Sequence, residues 1–111
     1  MVKILIVISK PPSSRVVDGF YITLGIVGEV EVNIILIDDG VYCAIRGQKG
    51  LNMPSVEDCI YSLYPEARVY AYKSSLVSRG VEPIEIVEIV KTIDEDEALK
   101  LIRSSEVIIN I

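Results

Sequence analysis

The stretch VNIILIDDGVY, residues 32–42, decides how this chain folds. An aliphatic run, Val32–Ile37, leads directly into the acidic turn Asp38–Gly40. A second junction of this kind lies where Arg68–Tyr72 leads into Ser74–Leu76. Aliphatic runs of this length predict buried strands, and in a parallel α/β sheet ligands and chemistry collect at the carboxyl ends of the strands. We therefore expect any functional site to lie at these two junctions.

Strands and helices are predicted to alternate along the rest of the chain. Aliphatic or β-branched runs predict five strands, at residues 2–9, 29–37, 67–72, about 86–92 and 106–111. Apolar residues at helical spacing, or polar residues able to cap a helix, predict helices after Ser13, from Pro54-Ser55, over Lys73–Arg79 and over Asp94–Ser104. The turn after the second strand is expected to form a short helical piece, Val41–Ile45.

This alternation predicts an α/β fold. We expect one flavodoxin-like domain over residues 1–111, a three-layer sandwich with a mainly parallel five-stranded sheet. With the strand order 2-1-3-4-5, the loops Ser9–Arg15 and Tyr72–Ser75 would face each other across a crevice, and the turn Asp38–Cys43 would close one side.

Composition excludes several classes of function. The 111 residues carry a net charge of −5 with no basic stripe, so direct nucleic-acid binding is not expected. No apolar run is long enough for a membrane span or a secretory leader, and we expect a cytoplasmic protein. Two cysteines and no histidine argue against a structural zinc site and against Ser-His or Cys-His nucleophile pairs. No metal and no cofactor are expected.

Several short segments, taken in order and spacing, carry a family resemblance that covers nearly the whole chain. They are Ser9 with Pro11, Asp39–Tyr42, Gly47–Lys49, Ser75-Leu76 with Arg79-Gly80, and the terminal Val107–Ile111. With these residues the chain resembles the DsrE/DsrF family, and most closely its DsrF/TusC branch. The resemblance implies a subunit that works in a trimeric or hexameric assembly with related subunits. Such assemblies pass persulfide sulfur between proteins, for sulfur oxidation or tRNA thiolation, and sulfur-carrier proteins are possible partners.

The resemblance also implies where sulfur would be carried. In the DsrE/TusD branch the carrier is a cysteine at the end of the third strand, just before the Ser-Leu-x-x-Arg-Gly segment. That position falls at Tyr72 here. A tyrosine cannot hold sulfane sulfur, so the resemblance implies a non-catalytic subunit. Whether the chain has sulfurtransferase-like activity of its own stays open.

Two alternatives remain. Cys43 follows the Asp-Gly-Val turn and could be a relocated persulfide carrier, with Arg46 lowering its pKa, or simply a small buried residue. Cys59 lies on an apolar helix stripe and is expected in the core. A small-molecule or nucleotide module is the other alternative, since the expected crevice would be lined by Ser9, Lys10, Asp39, Gly40, Tyr72, Lys73 and Ser74.

Four tyrosines in the middle of the chain suggest where subunits could meet. Tyrosine combines apolar area with a polar tip and is favoured at interfaces. Partial burial in the core at the ends of elements is the alternative role for these residues. In either case the middle of the chain, where Tyr61, Tyr64, Tyr70 and Tyr72 lie close together in the sequence, is the expected oligomer surface.

Overall fold

The computed structural model describes residues 1–48 and 55–111. Lys49, which contributes to the resemblance, and Pro54, expected to open a helix, lie outside these residues. The sheet consists of β1 (Lys3–Ile8), β2 (Glu31–Leu36), β3 (Arg68–Tyr72), β4 (Lys91–Ile93) and β5 (Val107–Asn110). The helices are α1 (Ser14–Ile26), α2 (Val56–Leu63), α3 (Lys73–Ser78) and α4 (Glu95–Ser104), with 3-10 segments at Asp38–Ala44 and Pro83–Glu85.

Polar side chains start three of the helices, as the sequence predicts. The Ser13 hydroxyl accepts from the Val16 N–H at 3.3 Å and begins α1. Ser55 and Asp58 form a reciprocal capping box at α2. The Asp94 carboxylate accepts from the Glu97 N–H at 2.9 Å and begins α4. Each cap satisfies backbone N–H groups that have no partner within the first turn.

All five strands are parallel, which confirms the α/β fold, but their order is β4-β3-β2-β1-β5. The expected order 2-1-3-4-5 is wrong, because β2 pairs with both β1 and β3. The first four strands are laid side by side in one direction, and α4 then returns across the sheet to place β5 beside β1. The loops after β1 and β3 therefore do not face each other, since β2 lies between them.

The two faces of the sheet are covered unequally. One face packs against α1, α2, α3 and the segment Asp38–Ala44 around a large core that contains Phe20, Ile34 and Leu63. The opposite face is covered by α4, and its small core consists of Leu5, Ile35, Ile93 and Ala98, with Val7, Ile37, Tyr70, Tyr72 and Leu101 partly buried around it. This second face thus keeps apolar surface in contact with solvent.

The expected strand at about 86–92 is also wrong, because β4 covers only Lys91–Ile93. Pro83 begins a 3-10 segment instead. The following Ile86 and Val87 are buried in the main core, where the Val87 N–H donates to the Ala44 carbonyl at 2.8 Å. The β-branched residues of this stretch therefore form a buried connecting segment. They resemble a strand in composition but not in structure.

The four tyrosines in the middle of the chain lie on opposite faces of the sheet. Tyr61 and Tyr64 are exposed on and just after α2, whereas Tyr70 and Tyr72 are half-buried on the face of the sheet that α4 covers. Because α2 packs on the other face, the sheet itself separates the two pairs. Among the helices of residues 1–48 and 55–111, none has the length and hydrophobicity to cross a membrane.

Candidate functional site at the carboxyl edge of the sheet

The segment after β2 folds tightly over the carboxyl edge of the sheet. The Ile37 N–H donates to the Ile8 carbonyl at 3.0 Å, and the Gly40 N–H donates to the Ile37 carbonyl at 2.8 Å. Gly40 is thereby buried directly against the end of β1, where an added Cβ would overlap the Ile8 carbonyl oxygen. Glycine at this position allows the close backbone approach that shapes the edge.

Side chains from α3 and from the residue that follows it hold the turn after β2. The Asp38 N–H donates to the Ser75 hydroxyl at 3.0 Å, and Asp38 itself has the left-handed φ of 50°. The Arg79 Nε donates to the Asp39 carboxylate at 3.0 Å, and its Nη1 reaches the Ser75 carbonyl at 3.4 Å. Three of the residues that carry the resemblance, Asp39, Ser75 and Arg79, therefore join two neighbouring turns.

Three of the predicted site residues line one cavity. A cavity of about 400 Å³ lies between the start of α3 and the start of α4. Its lining consists of Tyr72, Lys73, Ser74, Val77, Ser78, Asp94 and Glu95. The structure thus brings Tyr72, Lys73 and Ser74 together. The lining of this cavity contains hydroxyl groups, the ammonium group of Lys73 and two carboxylates.

A second cavity lies beside the first and is mainly apolar. It measures about 280 Å³ and is lined by Val7, Ile35, Ile37, Tyr72, Glu95, Ala98, Leu99 and Ile102. Tyr72 and Glu95 line both cavities. The residue at the expected carrier position therefore lies between a polar and an apolar part of this edge.

Ser9 and Lys10 lie apart from these cavities, on the β1 side. The Ser9 N–H and hydroxyl both donate to the Ile111 carbonyl, at 3.2 and 3.4 Å, and fasten the end of β5 to β1. The Lys10 carbonyl accepts from the Cys43 thiol at 3.6 Å. Because β2 separates β1 from β3, the expected crevice residues fall into two groups. Their role in binding stays a prediction.

Cys43 is enclosed by the main core. Its side chain has no exposed surface, and burial raises the pKa of the thiol to about 12. The thiol is therefore protonated at neutral pH, although the thiolate is the form that takes part in sulfur chemistry. Arg46 does not serve as its activating cation, because its guanidinium donates to the Ile86 carbonyl at 3.0 Å and pairs with Glu88 at 3.9 Å. These contacts favour packing as the role of Cys43.

Cys59 is buried on α2, in the core position that its spacing predicts. Burial raises the pKa of its thiol, and the neighbouring Asp58 carboxylate raises it further. Both cysteines are free thiols. Neither therefore presents an accessible, activated sulfur at the surface of the described chain.

Burial of Cys43 predicts a loss of stability in alkaline solution. The unfolded thiol releases its proton above about pH 9, whereas the folded thiol keeps it up to about pH 12, so folding is favoured less as the pH rises between these values. The free energy of unfolding should fall by about 1.4 kcal/mol per pH unit in this window. Urea unfolding of the wild type and of Cys43→Ala, from about pH 8 to pH 11, measures this.

The Cys43→Ala variant is the control for every other group that titrates in this range, including Cys59. It should lose stability less steeply than the wild type, by the stated amount per pH unit. Parallel curves for the two proteins would show that Cys43 is not desolvated in the folded state.

Two residues at the start of α4 complete the edge and were not expected there. The sequence predicts Asp94 and Glu95 only as the start of a helix, yet both line the 400 Å³ cavity. Their position directly after β4, at the carboxyl end of a parallel strand, was the signal that could have identified them.

The comparisons with known proteins agree with these observations. No family model matches the chain. The intracellular sulfur oxidation protein DsrF of Allochromatium vinosum is 33% identical over an alignment of 72 positions that covers 61% of this chain and 53% of DsrF. The chain is thus similar to a DsrF protein over more than half of its own length. It spans about half the length of the curated relative that it matches.

Solved structures show that this chain shares its fold with two proteins of low sequence identity. The YchN protein of E. coli superposes with a TM-score of 0.89 at 19% identity. MTH1491 of Methanobacterium thermoautotrophicum, a protein of unknown function, superposes with a TM-score of 0.81 at 14% identity. Both matches cover the whole of each chain. The flavodoxin-like architecture is therefore a known one, built here on a different sequence.

Proposed function

We propose that this chain is a non-catalytic subunit of a sulfur-relay assembly of DsrE/DsrF-like subunits, acting in sulfur oxidation or tRNA thiolation. The observation that carries the proposal is Tyr72 at the end of β3, on an edge that otherwise keeps the residues of the resemblance. The contacts of Asp39 with Arg79 and of Ser75 with Asp38 keep the turns in place. The proposal is supported by an edge that keeps these contacts and has a tyrosine where the resemblance implies the carrier cysteine.

Two observations support membership in an assembly: the similarity to DsrF, and the apolar surface that α4 leaves exposed on one face of the sheet. DsrF is named as an intracellular sulfur oxidation protein, and from it we infer a cytoplasmic place and a role in sulfur metabolism for this chain. An apolar surface remains on the α4 side of the sheet, where Leu99, Ile102 and Ile108 are exposed. Parallel sheets are usually covered on both faces, so a second subunit is the expected cover.

Sulfur carriage by Cys43 is the alternative that a simple experiment separates from this proposal. A persulfide on Cys43 would add about 32 Da to the intact chain after incubation with a persulfide donor, and Cys43→Ser would not gain it. We expect no such adduct in the folded wild type, because the thiol is buried and protonated. Loading of Cys43 in the folded protein would replace the proposal by the alternative.

The assembly itself is tested by purifying the tagged chain from the cells that express it and weighing the intact complex by native mass spectrometry. We expect stoichiometric DsrE/DsrF-like subunits, at least one of them with a cysteine at the end of its third strand. The complex should transfer sulfur, and the isolated chain should not. A chain that purifies without any related subunit would contradict a role in such an assembly.

A further inference from the structure

Two aliphatic side chains stand out on the surface of α4. Leu99 and Ile102 lie in the middle of the helix with 36% and 43% of their surface exposed, although Ala98 and Leu101 already fix α4 to the sheet. Both line the 280 Å³ apolar cavity, whose floor is formed by Val7, Ile35 and Ile37. The helix and the uncovered strip of sheet beside it therefore form one apolar groove.

Charges are placed at the two ends of the same helix face. Glu95, Leu99 and Ile102 follow the i, i+4, i+7 spacing of one face, and Asp96 and Arg103 flank it at i+1 and i+8. This face therefore begins acidic, is apolar in the middle and ends basic. Within residues 1–48 and 55–111, Glu95, Asp96 and Arg103 form no ion pair.

A face with this order of charges is complementary to itself when it is turned end for end. An antiparallel copy of α4 would bring Leu99 and Ile102 against the same residues of the second helix. It would also bring the acidic start of each helix next to the basic end of the other. Opposed helix dipoles add to this preference for the antiparallel arrangement. A parallel copy would instead set Glu95 and Asp96 against the same acids.

We infer that α4 binds α4 of a second copy of this chain, antiparallel and about a two-fold axis. Leu99 and Ile102 of each copy enter the apolar groove of the other, and Arg103 of each pairs with Glu95 and Asp96 of the other. Such a two-fold contact uses the same patch on both subunits and needs no separate complementary surface. The pair of helices then covers the apolar surface that α4 leaves open on each sheet.

The inference deepens the proposed function, because it names the surface of self-assembly. A two-fold contact closes a dimer, or joins two trimers into a hexamer. Either way, breaking the contact should halve the number of subunits in the particle. The measured mass of the particle therefore reports directly whether the contact between the two α4 helices is formed.

The first test replaces the apolar centre of the face. The double variant Leu99→Glu with Ile102→Glu should have half the wild-type mass by light scattering on a gel-filtration column, at on the order of 100 µM protein. Ile22→Glu, an exposed aliphatic residue of α1 on the other face of the sheet, is the matched control and should keep the wild-type mass. Circular dichroism and thermal unfolding check that each variant is folded.

The second test reverses the charges and depends less on the stability of α4. Arg103→Glu alone places acid against acid, and the double variant Glu95→Arg with Asp96→Arg places base against base, so each should have the halved mass. Mixed together, the two variants should form a particle of the full mass that contains both in equal amounts, because every reversed charge then meets its opposite. Native mass spectrometry distinguishes the mixed particle from either parent.

Three results would overturn the inference: a monomeric wild type at this concentration, a full mass in the Leu99→Glu and Ile102→Glu variant, or two charge variants that do not combine. A monomeric wild type and an oligomer that the α4 variants leave intact have different consequences for the proposed function. An oligomer unaffected by α4 variants uses another surface and leaves the relay assembly in place. A monomeric wild type leaves the relay proposal to the purification of the complex described above.

Discussion

Replacing Gly40 by alanine should lower the free energy of unfolding by about 3 kcal/mol or more, enough to leave much of the protein unfolded. The reason is a backbone contact: the added Cβ would overlap the carbonyl oxygen of Ile8, and this carbonyl cannot rotate away. The same oxygen accepts the Ile37 N–H at 3.0 Å, so relief of the overlap would cost that bond as well. Urea unfolding followed by circular dichroism measures the loss.

Gly25→Ala is the matched control for this substitution. Gly25 is exposed near the end of α1, and an added Cβ would meet no atom within 4 Å. Alanine has the higher helix propensity, so Gly25→Ala should be neutral or more stable than the wild type by up to about 1 kcal/mol. If Gly40→Ala and Gly25→Ala have equal stability, the turn after β2 does not pack on β1 as described.

Tyr72→Cys should convert a chain that takes up no sulfur into one that takes up about one sulfur atom per molecule. The position is half-buried at the end of β3, opens into the 400 Å³ cavity and is followed by Lys73, whose charge favours a thiolate. Intact-mass spectrometry after incubation with a persulfide donor should show a gain of about 32 Da, lost on reduction. Peptide mapping should place it at residue 72.

Tyr21→Cys is the control for accessibility. Tyr21 is exposed on α1, on the other face of the sheet, and has the same original side chain. If the surroundings of residue 72 lower the thiol pKa by about one unit, the cysteine there should react about threefold faster, since its larger thiolate fraction outweighs its lower nucleophilicity. Equal rates would mean that the end of β3 does nothing to activate a sulfur atom.

The strands and helices with one strong local signal were predictable from the sequence. The aliphatic runs of β1, β2 and β5 and the capped starts of α1, α2 and α4 lie within one or two residues of their expected ends. Burial on both faces produces continuous aliphatic runs, and caps are local hydrogen bonds, so neither depends on distant residues.

The strand order and the stretch 86–92 depend on tertiary packing and were not predictable in this way. The path of α4 across the sheet places β5, and not β3, beside β1. The sequence of β1 itself does not indicate which of these two strands will be its neighbour. Ile86 and Val87 have the composition of a strand, but they pack as a connection against Ala44 and Ile45. A β-branched run is compatible with a strand or with a buried connecting segment, because its side chains are buried in both.

The sequence predicted that the candidate site lies at the carboxyl edge of the sheet. It did not predict which side chains come together there. Tyr72, Lys73 and Ser74 do share a cavity, since they are consecutive at one strand end. Ser9 and Lys10 were assigned to the same crevice only through the expected strand order, and they lie with Cys43 and Ile111 instead. Asp94 and Glu95 joined the site because α4 begins at the same edge.

The most direct test of the account is the number of sulfur atoms bound per chain when the folded wild type and Tyr72→Cys are incubated with the same persulfide donor. We expect no bound sulfur for the wild type and about one atom, at residue 72, for the variant. A wild type that binds sulfur at Cys43, or a Tyr72→Cys protein that binds none while folded, would contradict it.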